Sequence, residues 1–226
     1  GVPPAIIAGV IGLETNFGRF TGSARVLDAL APQGFEHPTR AAFFFSELKN
    51  FFAFCRDFGL QPTELKGSYA GAMGWAQFMP SNYRRLAVDF DNDGKRDLWS
   101  PADAIGSIAR YLVEYDRARG WHRGEPLMVP AQLVKPLPAS VPINAKHTTQ
   151  TVAALAALGL KSTIELPPQT RVGVVQLQLD EGVEYWLGLH NFYSVMSYNP
   201  RVYYAMTVSQ LAQAMMRLDA SRDVAE

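Results

Sequence analysis

Cysteine is nearly absent from this chain. Cys55 is the single one among 226 residues, so neither an intrachain disulfide nor a CxxC redox pair can form. Its neighbours Phe51, Phe52, Phe54 and Phe58 mark it as a small core residue. Long hydrophobic runs are also missing. The longest, Ala5 to Leu13, is too short to span a bilayer. Charge of one sign is lacking: Lys plus Arg and Asp plus Glu number 21 each. Nothing therefore steers the chain toward nucleic acid or an anionic membrane. The four histidines are scattered without HExxH spacing, and no GxGxxG, phosphate loop, Lys/Arg tract or internal repeat occurs. The sequence does not begin with Met and no signal peptide is read in it, and the expectation is a processed or trimmed chain.

Apolar material, by contrast, is ample. At 48% hydrophobic and 12% aromatic, the chain can build one large domain or two small ones. Pro3 and Pro4 suit a first helical turn, and Ile6, Ile7, Val10 and Ile11 recur at helical spacing over Pro3 to Phe17. Seven residues beyond Ile7 the same stripe meets Glu14, and Gly18 is placed to take a left-handed cap. A carboxyl on a face destined for burial has its charged form disfavoured and its pKa raised, which suits a general acid. The plainer alternative puts Glu14 at the stripe's edge, reaching water or pairing with Arg19 or Arg25.

Further helices are expected over Ala24 to Ala31, from Pro38 to before Gly59, at Thr63 to Leu65, over Ser81 to Val88, Ala102 to Tyr115, Thr151 to Leu158 and Tyr203 to Leu218. The second of these buries Phe44, Phe45, Leu48, Phe51, Phe52 and Cys55. The helix at Ala102 shows Ile105, Ile108, Leu112 and Tyr115 on one face. Composition shifts at Gly120, after which prolines recur. Arg171 to Asp180 alternates as a strand, with Val183 to Leu189 its hairpin partner. Residues 190–199, rich in Tyr and Asn, read as a carbohydrate-lining loop or as aromatic packing at a domain join.

Two stretches carry the remaining chemistry. Gly67 to Ser81 holds three glycines and three alanines within its first eleven residues, which implies close backbone approach. Tyr69 and Trp75 offer flat faces on which a sugar ring can rest, and Gln77 can both give and take hydrogen bonds. A tight contact made by small residues is the alternative. Asp89 to Asp97 has oxygen ligands at positions one, three and five and Gly94 at six, the opening of an EF-hand loop. Ser100 stands where a Glu is usual, and Asp103 is placed to close the shell instead. A divalent ion, calcium first, is expected; a solvated acidic turn is the bland reading.

Together these motifs resemble the membrane-bound lytic transglycosylase B family. The resemblance rests on Glu14-Thr15-Asn16-Phe17-Gly18, on Gly67 to Ser81, on the Asp-rich loop running into Leu98 to Ser107, and on Tyr185 to Tyr193 with Tyr198-Asn199. It implies an α+β fold: a mainly α lysozyme-like core (1–120), a small inserted β-rich domain (121–188) and a return to the core (189–226), with a preceding α domain upstream of Gly1. It implies cleavage of the β-1,4 bond between N-acetylmuramic acid and N-acetylglucosamine in peptidoglycan, leaving 1,6-anhydromuramyl ends. By the same resemblance Glu14 is acid and then base. Ser68 and Gln77 contact the reacting sugar, and Met73, Tyr111, Asn191, Tyr193 and Tyr198 line the cleft. Asp89, Asp91, Asp93, Lys95 through its carbonyl, and Asp103 hold a structural calcium. Phe17 replaces a frequent Trp. The expected setting is the bacterial periplasm, soluble or lipid-anchored, as a monomer working on glycan strands beside cell-wall remodelling partners. The competing readings are a hydrolytic muramidase, with Asp28, Glu36, Glu47 or Glu64 as second carboxylate, and a non-catalytic calcium-dependent glycan-binding module.

Overall fold

A computed structural model describes residues 1–223, so the last three residues of the expected 189–226 segment lie outside the described residues. Contacts group residues 7–111 into one compact unit and residues 1–6 with those from 112 onward into another. In chain order the elements are α1 (Pro4–Thr15), β1 (Ala24–Arg25), α2 (Val26–Glu36), α3 (Ala41–Phe58), β2 (Lys66–Gly67), α4 (Pro80–Leu86) and α5 (Pro101–Glu114). There follow β3 (Met128–Leu133), β4 (Gln150–Thr151), α6 (Val152–Leu158), β5 (Leu160–Ser162), β6 (Arg171–Gln178), β7 (Val183–Gly188), α7 (His190–Tyr198) and α8 (Val202–Asp223). This mixture of helix and sheet meets the α+β expectation.

Within 7–111 the core is helical. Ile7, Val10 and Ile11 of α1 are buried as the periodicity requires. On α3 the buried set is Phe44, Glu47, Leu48, Phe51, Phe54 and Cys55, a clean three-and-four spacing. Phe45 and Phe52, expected inside, are 40% and 47% exposed, because neighbours of a buried residue point some 100° around the helix. Gly34 of α2 lets the α3 backbone approach at Phe44 and Phe45. Gly59 ends α3 in the left-handed conformation. Glu47 is buried, and its carboxylate accepts from the Ser81 N–H at 2.9 Å and the Ser81 hydroxyl at 2.6 Å, capping α4 from another helix. Arg84 of α4 reaches Asp57 of α3 at 2.9 Å. On α5 the buried side falls at Ala104, Ser107, Ile108, Tyr111 and Leu112, which leaves Ile105 exposed, a correction to its expected face. Thr63 to Leu65 forms a turn and not a helix.

The unit from 112 onward is built on an antiparallel sheet in the order β4-β6-β7-β3-β5. β6 and β7 pair from Gly173 with Gly188 to Gln178 with Val183, across the expected turn. Val129, Val141, Leu155, Leu160, Val172, Val174 and Leu187 form its buried cluster. α6 is capped by the Thr151 hydroxyl at the Ala154 N–H and ends at left-handed Gly159. The expected loop at 190–199 is instead α7, a helix whose residues 191–196 are all buried. No described helix is long and apolar enough to cross a membrane.

Candidate active site

Glu14 occupies the last turn of α1 and is half-buried, one step beyond the buried Ile6–Ile11 stripe. The helix then ends in a turn whose backbone is left-handed three times in succession, at Asn16 (φ 49), Phe17 (φ 57) and Gly18 (φ 81). Thr15 ties this turn down. Its hydroxyl donates to the Ile11 carbonyl at 3.1 Å and accepts from the Gly18 N–H at 2.9 Å. Gly18 meets the Trp75 ring so closely that a Cβ there would overlap it. The helix end bearing Glu14 is thus seated on the Gly-rich block, which explains why the Glu-Thr-x-Phe-Gly motif and that block keep company.

Between Gly67 and Pro80 the block is neither helix nor strand. The Ser68 N–H donates to the Ala72 carbonyl at 2.8 Å, and Met73 and Phe78 exchange backbone bonds at 2.9 and 3.1 Å. The Ser68 hydroxyl accepts from the Ala70 and Ala72 N–H groups. Its glycines answer to the protein's own atoms. A Cβ at Gly67 would strike the Ala72 carbonyl, and one at Gly74 the Leu98 carbonyl. Gln77, at φ 49, donates through Nε2 to the carbonyls of Thr21 (3.1 Å) and Gly74 (2.9 Å). Its Oε1 takes no hydrogen bond among the described residues. Ser68, Trp75 and Gln77 are half-buried, and Tyr69 is 85% exposed. Phe17 and Phe20 also face solvent, at 49% and 70%. Met73 and Tyr111 are buried, the latter beside Phe78 with ring centroids 5.5 Å apart.

In the other unit, Asn191 is fully buried and its amide is spent on the main chain. It accepts from the His122 N–H at 2.8 Å and donates to the His122 and Glu125 carbonyls at 2.7 and 2.8 Å. Tyr193 is buried as well, and its hydroxyl finds no hydrogen-bond partner among the described residues. Tyr198 is half-buried and stacks parallel to Tyr204 at 6.4 Å. Sequence reasoning missed the stacking of His122 on His190, centroids 3.7 Å apart, with His122 Nδ1 2.9 Å from Glu125. Scattered positions gave no signal for it.

The Asp-rich loop lies between α4 and α5. Carboxylate oxygens of Asp89, Asp91 and Asp103 lie within 4.8 Å of one another. Asp89 accepts from the N–H groups of Asp93 and Gly94, which folds the loop around it. Buried Asp103 accepts from Phe90 and Asp97, each at 2.7 Å. Asp93 accepts from the Lys95 N–H at 2.8 Å and stands outside the triad. Three converging hard oxygen donors on a loop that is already shaped fit a divalent cation such as calcium. Of the carboxylates weighed as a second acid, Glu47 is spent on Ser81 and Asp28 pairs with Arg25 at the surface.

The fold is that of a lysozyme-like domain. The chain belongs to the transglycosylase SLT domain family, whose profile matches residues 1–213. It is 45% identical over 216 residues to membrane-bound lytic murein transglycosylase B of Escherichia coli (strain K12), covering 95% of this chain and 57% of that relative. The chain thus spans little more than half the length of that curated relative. The Escherichia coli lytic transglycosylase Slt35, solved in complex with calcium, matches with a TM-score of 0.84 and 43% identity, over 96% of this chain and 68% of that one. SltB3 from Pseudomonas aeruginosa, solved in complex with NAG-anhNAM-pentapeptide, matches with a TM-score of 0.76 and 30% identity, over 93% of this chain and 56% of that one.

Proposed function

We propose that this chain is a peptidoglycan lytic transglycosylase with Glu14 as its sole acid and base. The observation that carries the reading is the half-buried Glu14 held at a rigid helix end against the Gly-rich block. In the first step the Glu14 carboxyl gives its proton to the glycosidic oxygen as the C1–O bond to N-acetylglucosamine breaks. In the second, the Glu14 carboxylate takes the proton from the C6 hydroxyl of the same muramyl ring while that oxygen bonds to C1. The nucleophile belongs to the substrate, so a second carboxylate is dispensable and positioning carries the rate. The hydrogen bonds of Glu47 and Asp28 agree with this.

Ser68 and Gln77 touch the sugar, with Oε1 of Gln77 receiving a substrate hydroxyl or amide. Tyr69, Phe17 and Phe20 supply exposed rings against which the strand lies. Met73, Tyr111, Asn191 and Tyr193, being buried, act by supporting neighbouring backbone and not by direct contact. Tyr198 keeps a surface for a sugar. Asp89, Asp91 and Asp103 hold a calcium ion that stabilises the α4–α5 connection and takes no part in proton transfer, with Lys95 and Asp93 contributing at the loop's rim. The substrate is peptidoglycan, the setting the periplasm, and the active form a monomer.

Incubation with purified sacculi followed by mass spectrometry tests the proposal. The expected products end in 1,6-anhydromuramyl residues, and Glu14→Gln lowers turnover by about 10²–10⁴-fold with an unchanged melting curve. Reducing-end products would make the chain a hydrolase, and intact sacculi would leave a binding module.

A further inference from the structure

A cavity separate from the residues assigned to sugar chemistry opens beside the Asp-rich loop. It encloses about 340 Å³, within the range of small-ligand sites. Its floor is aromatic: Phe58 from the end of α3, Tyr83 from α4, and Trp99 from the loop's exit. Leu60 and Leu65 complete the apolar wall. The rings are mutually ordered, with Tyr83 4.4 Å from the buried Phe54 and 6.3 Å from Trp99. At the rim stand Lys95 and Arg96 against a single acid, Asp97. The Asp97 carboxylate already accepts from the Trp99 N–H at 2.9 Å, and the Arg96 guanidinium lies 4.7 Å above the Phe58 ring. An apolar floor under a net positive rim matches a ligand with an apolar ring and an anionic group.

The same backbone that walls the cavity closes the carboxylate triad. The Tyr83 hydroxyl donates to the Arg96 carbonyl at 2.7 Å and accepts from the Leu98 N–H at 3.0 Å. The next amide inward, that of Asp97, donates to Asp103. Residues 95–98 therefore cannot move on the cavity side without moving the cation loop.

We infer that this cavity is a binding site for a small amphiphilic anion, and that its occupancy is linked to cation binding at Asp89, Asp91 and Asp103. A cation that fixes residues 95–98 pre-forms the wall, and by reciprocity the anion tightens the cation. The linkage rests on the proposed cation reading, whereas the cavity site does not. Neither depends on the glycan chemistry.

The probe is 8-anilinonaphthalene-1-sulfonate, followed by fluorescence titration of the intact chain with and without calcium. Saturable one-to-one binding is expected, about tenfold weaker in Trp99→Ala and about threefold weaker in the surface variant Arg96→Gln. Calcium is expected to tighten it about fivefold or more. Calorimetric titration with calcium alone establishes separately that the cation binds. Wild-type probe affinity in both variants overturns the cavity site. Probe binding indifferent to a bound calcium, or a loop that binds none, overturns the linkage. Glu14→Gln should bind the probe as the wild type does, so a failure of the catalytic reading is distinguished from a failure here.

Discussion

In residues 7–111 the backbone enters the left-handed region at four non-glycine residues as well as at glycines, whereas from 112 onward it does so at a single described non-glycine residue. Asn16, Phe17, Gln77 and Asn92 fall in the first region and Asn144 alone in the second, among the described residues. Such conformations cost of the order of 1–3 kcal/mol each and persist only where surroundings over-determine them. Three of the four sit in the turn after Glu14 or in the Gly-rich block, and the fourth in the Asp-rich loop. Apart from Asn144, the sheet unit holds its described left-handed residues at Gly124, Gly159 and Gly182, where no strain is stored. The strained turns of the first region thus fall beside the candidate site and in the Asp-rich loop, whereas the second places most of its left-handed turns at glycine.

The sharpest way to break that contrast is a matched pair of glycine substitutions. Gly18 and Gly182 have nearly the same φ, 81 and 83, but a Cβ at Gly18 collides with Trp75 while one at Gly182 meets nothing within 4 Å. Gly18→Ala should cost about 2–5 kcal/mol, the left-handed penalty plus overpacking. Gly182→Ala should cost about 1–2 kcal/mol, the left-handed penalty alone. Urea denaturation of both variants measures the difference. Equal losses would mean that the turn after Glu14 is no more tightly built than a hairpin tip.

Polar burial in 7–111 is tested next. Asp103→Ala strands the N–H groups of Phe90 and Asp97 and should cost about 2–4 kcal/mol without any metal. Asp91, exposed and bound among the described residues only to the Asp93 N–H, should cost under about 1 kcal/mol when changed to Ala. Calcium at a hundredfold excess over its dissociation constant should stabilise the wild type by about 2.7 kcal/mol, and Asp91→Ala should lose most of that gain. Thermal melts with calcium and with chelator decide; a melt unmoved by either removes the structural role of the ion.

The two regions also differ in how far the sequence foretold them. The α1 stripe and the buried α3 face follow a 3.6-residue period, and Gly59 and Gly159 announce two helix ends. The β6–β7 hairpin shows in its alternation and its Asp-Glu-Gly turn. α7 did not show. Its Ser, Asn, Tyr and His residues are weak helix formers, and burial on every face leaves no amphipathic period to read. The candidate site was legible at Glu14, Gln77 and the Asp loop, where a polar side chain interrupts an apolar or Gly-rich pattern. The Glu47–Ser81 cap and the His122–His190 stack were not, because each joins residues far apart in sequence.

The smallest predicted effect concerns polarity without a partner in the sheet unit. The Tyr193 ring packs against Gly173 and Gly188, which face each other across β6 and β7, and a Cβ at Gly173 would overlap its hydroxyl. That hydroxyl is buried and unpaired among the described residues, and burial pushes its pKa well above the usual tyrosine range. Removing an unsatisfied buried group is close to neutral or stabilising, so Tyr193→Phe should change stability by less than about 1 kcal/mol at neutral pH. The sign at high pH follows from linkage. The unfolded chain loses this proton near pH ~10 while the folded chain keeps it, so wild-type stability falls as pH rises past that point. Tyr193→Phe removes that part of the fall and should gain on the wild type in urea melts at pH ~10.5 compared with pH ~7. A loss of several kcal/mol would reveal a hidden hydrogen bond. Lost turnover with unchanged stability would return the hydroxyl to the sugar contacts that the family resemblance implies.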